Sequence, residues 1–347
     1  SRKDVKMKKI NLAIITLLFF AAFGFGKTVK LSDYAVPDDD RNDAVGFQNA
    51  VNDLKANKGG TLIVDAGVWN LDSMVNFSTP GNNYISYKVI GDGGSIIKLG
   101  LGQSGIGFYI GNTNQFTLDN LIFTGDDSYT NYDCNFVLLS TYSEKTTIEN
   151  TQFFGIRAKH SLIYAGNTDM LIENTQFAGN ASDKANVYGA FDLRGLTIEN
   201  TDFRDYGNFL DKYYSKTPQG VTAWIMVERD APAAVNYYAA RVRLVDLRLD
   251  EGAKYGISIK NVPSVKVSGV NANLSGISNS AGIVLDNVKY ADVKDSVFGY
   301  TTNSRPAIKL KNSSMATVWN LSFASGVFFS EIDSSSQMNI EFCPECQ

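Results

Sequence analysis

Phe116-Thr-Leu-Asp-Asn120-Leu-Ile-Phe123, Thr146-Thr-Ile-Glu-Asn150-Thr-Gln-Phe153, Met170-Leu-Ile-Glu-Asn174-Thr-Gln-Phe177 and Leu196-Thr-Ile-Glu-Asn200-Thr-Asp-Phe203 are four writings of one pattern. Inward positions alternate, a polar residue and Asn follow, and an aromatic residue stands three places further on. Four looser copies centre on Asp246, Gly269, Asp295 and Asn320. Alternation with period 2 marks each copy as a strand. The even recurrence of the centres marks the strands as rungs of a solenoid, which bury together what none buries alone. One interval, from Asn200 to Asp246, is nearly twice the others and predicts two rungs with a degenerate copy between them.

A second strand precedes the first in each repeat. It is clearest in Gly256-Ile-Ser-Ile-Lys-Asn261, Gly282-Ile-Val-Leu-Asp-Asn287 and Ala307-Ile-Lys-Leu-Lys-Asn312, with earlier versions in Phe108-Tyr-Ile-Gly-Asn112 and Phe191-Asp-Leu-Arg194. Strand, Asn-containing turn, strand and variable loop predict an all-β chain, a right-handed parallel β-helix with rungs about 4.8 Å apart. Asn suits the corners because it tolerates left-handed backbone and its amide can bond to the amide of the next rung. The alternative is that these are solvated turn residues.

The chain has 347 residues, 44% hydrophobic and 20% charged, with 30 Gly, enough for one long core without division into domains. Residues 1–26 stand apart. Lys8 and Lys9 precede an apolar run from Ile10 to Phe25, the layout of a secretory signal peptide, with Met7 reading as the start and residues 1–6 as an upstream remnant. A retained membrane anchor is the rival, against which the run is short. Residues 27–347 then form a single domain: an N-terminal segment and cap to 100, coils from about 101 to 330, and a tail from 331. Without residues 1–26 the chain carries 27 basic and 35 acidic residues, a net charge of about −8, which argues against nucleic acid as a partner. Cys134, Cys343 and Cys346 are too few for a disulfide framework, and Cys343-Pro-Glu-Cys346 lacks the second pair of a zinc site.

Ahead of the coils, Ala44, Phe47, Val51 and Leu54 fall on one helical face, and Gly59-Gly60 ends the run. Such a helix can plug the open end of a solenoid. Here the chain resembles the pectate-lyase superfamily. The matching residues are Asp33-Tyr-Ala35, the acidic stretch Asp38 to Asp43, the helix Ala44 to Leu54, Gly59-Gly-Thr61, Asp65-Ala-Gly-Val-Trp69 and Val89-Ile-Gly-Asp-Gly93. The resemblance implies a secreted or phage-borne β-helix that binds or cuts polysaccharides, acidic ones above all, and the layout is distantly similar to chondroitinase B and the alginate lyases. It does not extend to the polygalacturonase-like motifs. Asn167-Thr-Asp169 and Asp126-Asp127 stand in the wrong order, and the only histidine, His160, has no flanking Gly.

β-Elimination from a uronic acid needs a base for the proton beside the carboxylate and a cation to neutralise that carboxylate. Projecting the strand before the Asn turn outward exposes Tyr109, Tyr164, Asp192, Arg194, Ser258 and Lys260, and nearby loops add Arg157, Lys159, His160, Tyr213, Tyr214, Glu228 and Arg229. From these, Lys159 is the expected base, with Arg157 or Arg194 neutralising the carboxylate and His160 beside them. Tyr164, Asp192, Tyr213, Tyr214, Arg229 and Lys260 are expected to bind the sugar. The aromatic residues between Arg204 and Arg241 can face a sugar or can cover a local core. The position before each repeat Asn is Asp119, Glu149, Glu173 and Glu199, an acidic stripe that reads either as a calcium site on Glu149, Glu173 and Glu199 or as a solvated face. The functional expectation is a secreted, periplasmic or cell-surface lyase for an acidic polysaccharide. The alternatives are a non-catalytic carbohydrate-binding or tailspike-like β-helix, and a glycoside hydrolase pairing Asp192 with Asp205 or Glu228.

Overall fold

A computed structural model describes residues 26–79, 81, 85–125, 131–190, 192–204, 221–229, 240–250, 253–273, 281–299, 305–324 and 327–342. These form a right-handed parallel β-helix. Ten strands stack as one sheet and eighteen as another, with parallel pairing from rung to rung. Residues 1–25, with the basic and apolar run, lie outside the described residues, as do Asp126-Asp127, Asp205, Cys343 and Cys346. Among the described residues no helix is long and apolar enough to cross a membrane.

The alternation read from the sequence is the inward register. Leu118 pairs with Ile148, Ile148 with Ile172, Ile172 with Ile198, Ile198 with Leu244, Leu244 with Val267, Val267 with Val293 and Val293 with Val318. All of them are buried. Beyond the corner the aromatic position forms a column. Phe123, Phe153, Phe177 and Phe203 stack with centroid spacings of 5.2, 4.9 and 4.8 Å and interplanar angles of 9°, 6° and 2°. The rung repeat of about 4.8 Å sets that spacing, so the rings pack at van der Waals contact with no adjustment of the backbone.

At the corners the backbone is left-handed, with φ of 56° at Asn120, 51° at Asn150, 49° at Asn174, 45° at Asn200, 51° at Asp246, 65° at Gly269, 48° at Asp295 and 49° at Asn320. The amides form a broken ladder. Asn200 Nδ2 donates to Asn174 Oδ1 at 2.6 Å, Asn287 Nδ2 to Asn261 Oδ1 at 2.8 Å and Asn320 Nδ2 to Asp295 Oδ1 at 2.8 Å, while Asn120 turns instead to the Gly91 carbonyl. Replacing Asn174 with alanine removes one acceptor and forces a Cβ residue without a helpful side chain into that conformation. Urea unfolding is expected to show a loss of about 1–2 kcal/mol, and Asn174→Gly a smaller one.

Two expectations need correction. The long interval from Asn200 to Asp246 is one rung, because Leu196 pairs directly with Val242 and Ile198 with Leu244. Strand Val221–Glu228 pairs with Ala185–Gly189 on one side and Ala253–Lys260 on the other, which leaves no row for a hidden coil. Nor do Asp192 to Arg194 form a strand, and Phe191 lies outside the described residues. The strand of that rung is Ala185–Gly189, and the chain turns at Ala190, whose carbonyl accepts from Leu193 N at 3.0 Å while the Leu193 side chain fills the corner.

The N-terminal end is closed by the helix Ala44–Ala56. Asn42 Oδ1 accepts from Ala44 N at 2.9 Å, and Phe47 packs edge-on to Trp69 and against Phe108. Gly60 is required where the chain leaves the helix. Its φ is 143°, and a Cβ there would lie 1.9 Å from the Lys27 carbonyl oxygen. At the other end Ile340 occupies the core register of Val318 yet is 46% exposed, since nothing among the described residues stacks on it.

Candidate functional site

The outer face of the ten-stranded sheet presents one residue per rung in a column: Tyr109, Leu139, Tyr164, Tyr188, Met226, Ser258 and Val284. On this face lies a cleft of about 390 Å³ lined by His160, Tyr164, Tyr188, Glu228, Arg229 and Lys260. A second cleft of about 580 Å³ continues from Arg229 and Lys260 toward Asn287, Asn312 and Ser335.

The floor of the first cleft is aromatic. The His160 ring lies 4.8 Å from Tyr188, 6.1 Å from Tyr164 and 5.0 Å from Phe136, and the two tyrosine rings are 5.7 Å apart. The Tyr188 hydroxyl donates to Glu228 Oε2 at 3.0 Å, and Lys184 Nζ stands 3.7 Å from the same oxygen. Burial lowers the His160 pKa, and the charge of Lys184 lowers it further against the opposing pull of Glu228 and Asp183. Burial raises the Tyr164 pKa, with the charge of Asp192 acting in the same direction, so its hydroxyl stays protonated. Arg229 is partly desolvated, which lowers its pKa, and Asp192 opposes that shift. The cleft therefore combines a neutral imidazole, a protonated phenol and two cations over a floor of mutually tilted aromatic rings.

Because His160 is the only histidine in the sequence, its titration is directly visible. Its imidazole protons are expected to titrate in NMR below the ordinary value of about 6.5. The unfolded chain then takes up this proton first, so stability from this group is present above that value and falls as pH drops through the depressed folded pKa. A midpoint above that ordinary value would mean the ring faces net negative charge.

The sequence-predicted residues divide into three places. His160, Tyr164, Arg229 and Lys260 share the cleft, and Asp192 stands next to it, its carboxylate acting on both Tyr164 and Arg229. Arg157 and Lys159 belong to a separate clasp. The Arg157 guanidinium and Lys159 Nζ lie 4.4 and 4.9 Å from the centre of the Tyr132 ring, Lys159 Nζ pairs with Asp183 Oδ2 at 3.0 Å, and the Tyr132 hydroxyl donates to Asp183 at 3.2 Å. The hydrogen bond to Asp183 raises the Lys159 pKa, which holds it as an ammonium. Arg194 faces the opposite corner, donating to the Ser143 carbonyl and, at 3.2 Å, to Glu144 Oε2. It reaches this place from the turn after Ala190, not from a strand, and Asp192 belongs to the same turn. Tyr213 and Tyr214 lie outside the described residues. Sequence reasoning misses Tyr188, although Ala185-Asn-Val-Tyr-Gly189 carries its tyrosine one repeat period after Tyr164.

On the eighteen-stranded sheet the acidic stripe stacks rung on rung, Asp119 with Glu149, Glu149 with Glu173 and Glu173 with Glu199. Its charge is met at both ends within the chain. Lys88 Nζ lies 3.1 Å from Asp119 and 3.6 Å from Glu149, and Arg243 pairs with Glu199. Among the described residues no three His, Cys, Asp or Glu side chains form a group that could hold a metal ion. Cys134 is buried, and burial pushes its thiol pKa up, which leaves it an inert core residue.

The chain matches no known sequence family and no curated protein sequence. Its fold is similar to solved structures. PfbA, a surface adhesin of Streptococcus pneumoniae, superposes with a TM-score of 0.60 at 13% identity over 91% of this chain and 83% of that one. The tailspike protein of E. coli bacteriophage HK620, as a double mutant, gives 0.60 at 13% identity over 91% of this chain and 65% of that one. The same tailspike in complex with a pentasaccharide gives 0.53 at 13% identity, with 91% and 65% covered. At these identities the likeness is one of fold.

Proposed function

We propose that this chain is a secreted or cell-surface protein that binds an acidic polysaccharide in the cleft between His160 and Lys260 and cleaves it by β-elimination. The observation that carries the reading is the His160 ring, packed 4.8 Å from Tyr188 with burial lowering its pKa, in the same cleft as Arg229 and Lys260. The aromatic floor suits the apolar faces of pyranose rings. Arg229 and Lys260 would neutralise the uronate carboxylate, which acidifies the neighbouring C–H. His160 would take that proton as base, the C4–O bond would break as the C4=C5 double bond forms, and the Tyr164 phenol would give a proton to the departing oxygen. Each of the two proton carriers is held in the form this step needs.

The fold neighbours support the wider class. One is a surface adhesin and another is a tailspike in complex with a pentasaccharide. Location outside the cell rests on residues 1–26, whose basic and apolar order is that of a signal peptide. The test is incubation with alginate, pectate, chondroitin and dermatan, followed by the ultraviolet absorbance of the unsaturated product. Absorbance growing with time on at least one polymer is the expected result. Retention of a polymer with no product would leave a carbohydrate-binding β-helix and remove the lyase.

A further inference from the structure

The groove that begins at His160 has a periodic charge along the solenoid axis. On the ten-stranded sheet Glu228 pairs with Lys260, Lys260 with Asp286, and Asp286 with Lys311. All four sit at outward positions of successive rungs, so the face reads acid, base, acid, base with about 4.8 Å between neighbours. Both acids are fixed by bonds. Glu228 accepts from Tyr188, and Asp286 Oδ1 accepts from Asn312 Nδ2 at 2.6 Å. The adjacent column is uncharged at Met226, Ser258 and Val284, and its next member, Lys309, is paired with Glu331, while Lys184 stands 3.7 Å from Glu228, so the acidic character of the face is strongest at Asp286.

We infer that the groove is matched to a glycan with one anionic group on every second sugar, lying along the solenoid axis, and not to a homopolymer of uronic acid. This rests on the polysaccharide reading above and narrows it. The two clefts run into each other through Arg229 and Lys260, so a chain leaving the aromatic floor passes along these rungs. One sugar of an extended chain is about as long as one rung is tall, roughly 5 Å. A uronate at every unit then sets carboxylates against Glu228 and Asp286 as well as against Lys260 and Lys311. A uronate at every second unit meets the two lysines only, and the neutral sugars between them face the acids through hydroxyl groups, which donate to carboxylates. Each carboxylate misplaced beside such a half-buried acid costs about a fivefold loss of affinity in water at low salt.

The test compares three soluble polymers of matched length at one low ionic strength. They are hyaluronan, in which uronate alternates with a neutral amino sugar, polygalacturonate, with a uronate at every unit, and neutral dextran. The full chain is expected to bind hyaluronan about tenfold or more above polygalacturonate, and both above dextran. In Asp286→Asn the gap is expected to close by about fivefold through tighter polygalacturonate binding, since asparagine keeps the acceptor for Asn312 and drops the charge. Polygalacturonate bound as well as hyaluronan, or an unchanged gap in Asp286→Asn, would overturn the alternation and leave the acidic-glycan reading standing. Neither charged polymer bound above dextran would remove that reading and this inference together.

Discussion

Phe177→Ala is expected to lower the free energy of unfolding by about 3–5 kcal/mol, the largest stability effect among the changes considered for this chain. Phe177 is fully buried, with its ring stacked 4.9 Å from Phe153 and 4.8 Å from Phe203. Its neighbours are held by parallel ladders on both sides, Phe153 with Phe177 and Phe177 with Phe203, so the rungs cannot slide together to fill the space. The cost therefore includes the cavity as well as the lost transfer of a benzyl group from water. Urea unfolding followed by circular dichroism measures it. Because a solenoid can open rung by rung, the transition is also expected to broaden around this point. A loss below about 1 kcal/mol would mean that the column repacks, and that the ladders do not fix the rung height.

His160→Ala is expected to reduce turnover of the responsive polymer about 10²- to 10⁴-fold, the usual contribution of a positioned general base, with polymer affinity changed far less. The ring contributes packing to the floor, so some weakening of binding accompanies the loss. Arg229→Ala is expected to act on both quantities, raising KM and lowering kcat, because it meets the substrate carboxylate in the ground state and the developing charge in the transition state. Lys159→Ala separates this assignment from the one suggested by sequence. Lys159 is paired with Asp183 and its pKa is raised, which makes it a poor base. If Lys159→Ala abolishes turnover while His160→Ala does not, the base lies in the Tyr132 clasp and the cleft assignment fails.

These two expectations draw on different kinds of information. The aromatic column can be read in the sequence, because Phe123, Phe153, Phe177 and Phe203 each stand three places after a repeat Asn. The corner conformation can be read as well, from the Asn, Asp and Gly at those centres. The candidate site is only half legible. Alternation identifies Tyr164 and Lys260 as outward, and the residue types select His160 and Arg229. It gives no way to know that Asp183 holds Lys159 or that Ser143 and Glu144 hold Arg194. Tyr188 escapes because the sequence pattern places the strand of that rung at Phe191, whereas it begins at Ala185.

The sequence alone determined the wound architecture, the helix that closes its first end, the corner residues and the core column, since each is written in a period that one rung repeats to the next. Only the tertiary structure decided that the long interval from Asn200 to Asp246 is a single rung, and which outward side chains meet across rungs. Partners on this surface come from different turns of the coil, joined by loops of unequal length, so their meeting depends on register and not on spacing along the chain. Charge state follows from the same meeting. His160 is neutral because aromatic rings bury it beside Lys184, and Lys159 is charged because Asp183 lies one rung away.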